Sequence, residues 1–159
     1  MQREMSSERQ PGIRFTGVHL LRMVFAIRGA PREDVSELHY GPSFKVSRKI
    51  SEDKRRLDLF LETDLFGGVP EEQKPPIEFN FVLHGQFEAA GDEHLSLEEF
   101  AEHQGPAHLF PYAREIIANI TSRSPLPTLN LGPINVVALI ERGDVDFQMG
   151  FEDKGAKTV

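Results

Sequence analysis

A chain of 159 residues with 39% hydrophobic content suits one domain, since domains commonly run to roughly 100–150 residues, and it is long enough to bury a real core. Its 18 Lys and Arg against 25 Asp and Glu give a formal charge of −7, which argues against nucleic acid as a partner, because phosphate binding needs a basic surface. The lack of cysteine excludes disulfides and thiolate chemistry and is compatible with a reducing compartment.

The opening segment, MQREMSSERQPG, is polar and charged and lacks the apolar stretch of a signal peptide. No run approaches the roughly 20 apolar residues of a membrane span, so the expectation is a cytoplasmic protein without membrane insertion. The chain divides into a tail over 1–12, a single domain over 13–142 and an acidic tail over 143–159. Ile13 to Arg28 reads as a long strand, with Ile13, Phe15, His19, Leu21, Met23, Phe25 and Ile27 on one face at period two. Its other face carries Arg14, Thr16, Arg22 and Arg28 among Val18, Leu20 and Val24. Gly29 to Pro42 is punctuated by Gly and Pro and reads as a crossover loop. Phe44, Val46, Arg48 and Ile50 alternate as a second strand, followed by a turn over Ser51 to Lys54. Leu57 to Leu65 is a third strand, stopped by Gly67 and Gly68, and a polar loop runs through Pro70 to Pro76. Ile77, Phe79, Phe81, Leu83 and Phe87 give the cleanest alternation, opposite Glu78, Asn80 and Gln86.

Ser96 with Glu99 three residues on is a capping-box pattern that starts a short helix near Leu97. Gly105 and Pro106 interrupt it. Leu109, Tyr112, Ala113, Ile116, Ile117 and Ile120 then form one apolar stripe of a longer helix, with Pro111 in its first turn. Pro125, Pro127 and Pro133 enforce an extended strap containing Leu129 and Leu131, and a last short helix is expected from Val136 to Arg142. Strands first and helices afterwards predict an α+β fold, a four-stranded antiparallel sheet with helices on one face.

Glu99 and His103, four apart on a helix with His94 and His108 nearby, lack any metal-ligand motif such as HExxH and read as surface residues. Glu98, Glu99 and Glu102 read as a charged helix face, and the Gly pairs as turns, since no lysine-bearing phosphate loop surrounds them. No catalytic residue, metal or cofactor is expected, and the protein is not read as an enzyme. The positive signal is apolar excess outside regular positions: Leu38, Tyr40, Leu126, Leu129, Ile140, Phe147 and Phe151 cap the core singly or, as a set, line a groove.

The ordered series Phe110, Pro111, Tyr112, Ala113, Arg114, Glu115, then Ser122, Arg123, Pro127, Leu129, Asn130, Leu131, Pro133, Asn135, Ala138 and Leu139 resembles the SecB protein-export chaperone family. Ser124 stands where the family has glycine and Val136 where it has phenylalanine, which marks a divergent member. The resemblance implies an ATP-independent holdase for unfolded or pre-export proteins, with Tyr40, Phe44, Val46, Leu126, Leu139 and Ile140 at the client groove. It implies a homo-oligomer, a tetramer made of two dimers, assembled through the long helix at Tyr112 and Ile116. The family delivers clients to the motor ATPase SecA through acidic residues of the exposed sheet face. The aligned positions here are Arg22, Ala26 and Asn80, and Arg14, Arg22 and Arg28 share that face, so SecA binding is expected to be weak or absent. Two other readings stay open: a solitary or toxin-antitoxin-associated SecB-like chaperone with a dedicated client, and a non-chaperone ligand- or protein-binding module on the same fold.

Overall fold

The computed structural model describes residues 12–29, 40–90, 96–132 and 145–149, the last by its backbone. In chain order these form β1 (Ile13–Ile27), β2 (Ser43–Ile50), β3 (Arg56–Asp64), a short 3-10 turn (Glu71–Gln73), β4 (Ile77–Ala89), α1 (Leu97–His103), α2 (Gly105–Ser122) and β5 (Val145–Met149). Four strands make an antiparallel sheet in the order β1-β4-β3-β2. The fold is α+β, as the patterning predicts. The helix expected at Val136 to Arg142 and most of the crossover loop lie outside the described residues.

Each strand is built from its alternation. In β3, Leu57, Leu59, Leu61 and Thr63 are fully buried, and in β4 so are Phe79, Phe81 and Phe87. Opposite them, Leu97, Phe100 and Ala101 of α1 and Leu109, Phe110, Ala113 and Ile117 of α2 close the core. Burying each large side chain contributes about 1.5–3 kcal/mol relative to exposure, so these rows fix which sheet face meets the helices. Ser96 caps α1 as its spacing requires, its hydroxyl accepting from the Glu99 N–H at 3.2 Å. Arg48 is buried on the helix face of β2 because α1 supplies acceptors: the Glu98 carbonyl at 2.9 Å and the Glu102 carboxylate at 3.5 Å.

Three local features depart from the sequence reading. First, β1 carries two β-bulges, between Phe15 and Gly17 and between Leu20 and Arg22. Each inserts one residue and exchanges the faces beyond it. Val18 and Leu20, rather than His19 and Leu21, therefore stand in register with the helix-side residues Gly85 and Leu83. Second, α2 begins at Gly105, so Pro111 lies inside the helix and not in its first turn. Pro111 and Ala107, whose carbonyl loses the usual partner, are both exposed, so water reaches the freed acceptor. Third, Val145–Met149, within the segment assigned to the acidic tail, is a strand that joins the outer edge of β2 in parallel.

Gly85 sets the distance between α2 and the sheet, since a Cβ there would stand 2.5 Å from Leu109 Cδ2. The strap after α2 is tied back by two side chains of that helix. The buried Thr121 hydroxyl donates to the Ile117 carbonyl at 2.7 Å and accepts from the Leu129 N–H at 2.9 Å, while Arg114 Nε donates to the Leu131 carbonyl at 3.0 Å. Among the described residues no helix is long and apolar enough to cross a membrane.

Candidate functional site

Of the six residues nominated for the groove, the four that are described fall into two environments, one half-buried and one in the core. Tyr40 is half-buried just ahead of β2, its ring stacked on Phe66 with centroids 5.8 Å apart and planes 23° from parallel. The Gly41 N–H bonds the Leu65 carbonyl and the Gly68 N–H bonds the Gly41 carbonyl, so the backbone that carries Tyr40 is held to the segment after β3. Phe44 and Val46 follow on the helix face of β2 and are only 6% and 0% exposed, with the Phe44 ring edge-on to Phe110 at 4.8 Å. Leu126 joins the same core from the strap. Leu139 and Ile140 lie outside the described residues. Among the described members of the set Tyr40 presents surface, while Phe44, Val46 and Leu126 are buried behind it.

The Tyr40 hydroxyl oxygen is buried without a hydrogen-bond partner, a state it shares with the Thr63 hydroxyl among the described residues. Burial pushes the Tyr40 phenol above its ordinary pKa, since the phenolate has lost water and gained no donor. Buried polar atoms are nearly always paired, so these two hydroxyls are exceptions among the described residues. Thr63 stands in register with Phe44 at the start of β2.

A second apolar surface runs along the helix side of β1. Leu20, Met23 and Ile27 are 47%, 39% and 39% exposed, although their β4 partners Leu83, Phe81 and Ile77 are buried, because the helices cover β3 and β4 and leave β1 open. Tyr112 on α2 borders this strip at 41% exposure, with its ring 6.1 Å from Phe15, and Ile116 one turn on is half-buried. Strict alternation hid the strip by placing Leu20 on the other face. The usable signal was the unbroken apolar row of β4, which needs an equally apolar partner row that β1 supplies only when two residues are bulged out.

The opposite sheet face is charged and largely self-paired. Arg14 meets Glu88 at 2.9 Å, Arg28 donates to Glu78, and Asp58 bonds His84 at 2.7 Å while the His84 ring stacks on Phe60. The hydrogen bonds from Arg28 lead the interactions that hold the Glu78 carboxyl below the usual carboxylate range. Of the three arginines expected to repel a basic partner, Arg14 and Arg28 are thus neutralised by β4, because each faces a carboxylate across the strand pair. Arg22, Ala26 and Asn80 do share this face, opposite Val82, Glu78 and Val24 respectively. His108 is exposed, as the sequence reading has it: its Nδ1 bonds the Gln104 carbonyl, and its ring lies over the rim of the core, within 6.0 Å of Phe15, Phe87 and Phe100.

The profile of the family described as Preprotein translocase subunit SecB matches residues 9–144. The protein-export protein SecB of Haemophilus ducreyi is 38% identical over 73 residues, 46% of this chain and 40% of that protein. That of Histophilus somni is 37% identical over 79 residues, 47% of this chain and 46% of that protein. The chain thus spans less than half the length of these curated relatives. A Mycobacterium tuberculosis SecB-like chaperone, solved in complex with a ChAD peptide from an antitoxin, superposes with a TM-score of 0.61 at 21% identity, over 77% of this chain and 88% of that one. The fold is therefore that of a SecB-like chaperone, and with a family profile running from the residues before β1 to the residue before β5, the chain belongs to the SecB family.

Proposed function

We propose that the protein is an ATP-independent holdase of the cytoplasm that binds unfolded or pre-export polypeptides and is not an enzyme. The observation that carries this reading is Tyr40: an aromatic ring with apolar walls behind it and a desolvated hydroxyl that no group of the described chain satisfies. Extended polypeptide offers what that seat lacks, because every residue brings backbone donors and acceptors and any apolar side chain suits the walls. Phe44, Val46 and Leu126 serve as those walls, and Leu139 and Ile140 complete the groove. Holding requires no nucleotide, since anything that binds the unfolded state draws it away from aggregation by mass action. The strip of Leu20, Met23, Ile27 and Tyr112 supports assembly of copies of the chain, with Tyr112 and Ile116 at the contact, in a dimer or a dimer of dimers.

A second reading is favoured by the open sheet face. Arg22, Ala26 and Asn80 provide no carboxylate there, and Glu78 and Glu88 are already paired. A chaperone that does not deliver to SecA but serves one dedicated client fits this surface, and the M. tuberculosis SecB-like chaperone was solved with a peptide from one antitoxin. Light scattering by a heat-aggregating enzyme, with and without the protein and with no nucleotide present, tests the main reading. Suppression at near-stoichiometric ratio is expected for a general holdase. Unaltered aggregation of several unrelated enzymes would leave the dedicated-client reading in its place.

A further inference from the structure

The edge of β2 that β3 leaves open is occupied from within the chain. Val145–Met149 runs along it in parallel, with Val145, Phe147 and Met149 in register with Phe44, Val46 and Arg48. In sequence these three alternate with Asp146 and Gln148, the pattern of a strand on a half-buried surface. An open strand edge is a row of N–H and C=O groups that recruits extended segments through main-chain bonds, largely whatever their side chains. We propose that the β2 edge is a strand-addition site for extended, alternately apolar client segments, and that Val145–Met149 is its intramolecular occupant, which a client displaces. This rests on the reading of the chain as a binder of unfolded polypeptide, and adds the mode of contact and a built-in competitor.

The geometry suits displacement. β5 has five residues and, among the described residues, a single neighbour, paired in the parallel mode that holds slightly less per residue, whereas β2 is bonded to β3 over eight antiparallel residues. Short strands at the end of a sheet open locally at a fraction of the global stability. While β5 is seated, no further segment can pair with residues 44–48 at this edge, so the observed client affinity is the intrinsic one reduced by the fraction of molecules with a free edge. Phe44 and Val46, nominated for client contact yet closed to solvent, lie on the strand whose flank this exchange uncovers.

The test uses the full chain with Phe147→Pro, which removes one strand N–H and fixes φ. Fluorescence anisotropy follows a labelled synthetic peptide of alternating valine and serine, a block-ordered peptide of the same composition, and a permanently unfolded protein. The variant is expected to bind the alternating peptide at least about threefold tighter than the parent and the block-ordered peptide little differently, as removal of a competitor requires. Hydrogen exchange should show residues 44–48 less protected in the variant and protected again by the alternating peptide. If both proteins bind the unfolded protein but Phe147→Pro leaves the alternating peptide's affinity unchanged or weaker, the competitor is overturned and the holdase reading stands. If neither binds the unfolded protein, both fall. Should the variant fail to fold, a synthetic peptide copying residues 143–151, added to the parent chain, must compete with the labelled alternating peptide, and absence of competition overturns the proposal equally.

Discussion

Replacing Tyr40 by Phe separates folding from binding in one atom. The ring stays, so its stacking on Phe66 is kept, while the removed hydroxyl is a buried oxygen without a partner. Leaving such a group unpaired costs about 1–3 kcal/mol when desolvation is complete, and the half-buried position of Tyr40 puts the recoverable part near the lower figure. Stability is therefore expected to be unchanged or up to about 1 kcal/mol higher. With a urea m value of about 1–3 kcal/mol per molar, that is a midpoint shift of at most about 0.3–1 M. The phenol's raised pKa adds a sign: the folded state holds its proton longer than the unfolded state, so the parent loses stability as pH climbs above about 10. Tyr40→Phe should lack that part of the alkaline loss. Binding goes the other way, because a hydroxyl that bonds a client's peptide group is worth about 0.5–1.5 kcal/mol, or about 2- to 12-fold in affinity for an unfolded protein. Urea titration at pH 7 and pH 10.5, with anisotropy of the labelled unfolded protein, reads both. A stability loss of about 1 kcal/mol or more would mean the hydroxyl has a partner in the folded chain, and unaltered affinity would remove it from the client contact.

Three further expectations concern other parts of the molecule. Gly85→Ala drives a methyl toward Leu109 and should destabilise by about 1–3 kcal/mol in urea, with part of the loss restored by Leu109→Val; a neutral result would mean that α2 stands off the sheet further than the 2.5 Å approach implies. Tyr112→Asp with Ile116→Asp should reduce the mass measured by light scattering to that of a smaller assembly while circular dichroism is retained, and an unchanged mass would move the contact elsewhere. SecA should bind weakly in low-salt calorimetry, and Arg22→Asp, Ala26→Glu and Asn80→Glu together should create salt-sensitive binding, since the three positions share the open sheet face. Tight binding by the parent would refute the charge reasoning.

The sheet and the first helix were legible because periodicity and capping are local. Ile77 to Phe87 reads as a strand from its alternation, and Ser96 as a cap from its spacing to Glu99. The failures are where a distant partner decides. A bulge in β1 leaves no mark in β1 itself, since Leu20 and Leu21 are equally apolar and only the register against Leu83 and Val82 selects between them. Pro111 looks like a helix start because the sequence alone does not say that the Ala107 carbonyl faces water. Val145–Met149 has the composition of a tail, and its strand exists through the edge of β2 roughly 100 residues earlier. The paired charges Arg14 with Glu88 and Arg28 with Glu78 depend on the same long-range register. For the site, the expectation at the start of β2 and on the long helix came from the resemblance and not from periodicity. The unpaired Tyr40 hydroxyl is visible only once the chain is folded.

A holdase recognises the unfolded state of other proteins. The direct measurement is titration of the protein, without nucleotide, into one labelled polypeptide held permanently unfolded and, in parallel, into the same polypeptide in its native form. Submicromolar to micromolar binding of the unfolded form with none of the native form is the predicted result. Equal binding of both forms, or binding of neither alongside tight capture of one folded ligand, would rule out a holdase and make the chain a specific binding module on a SecB fold.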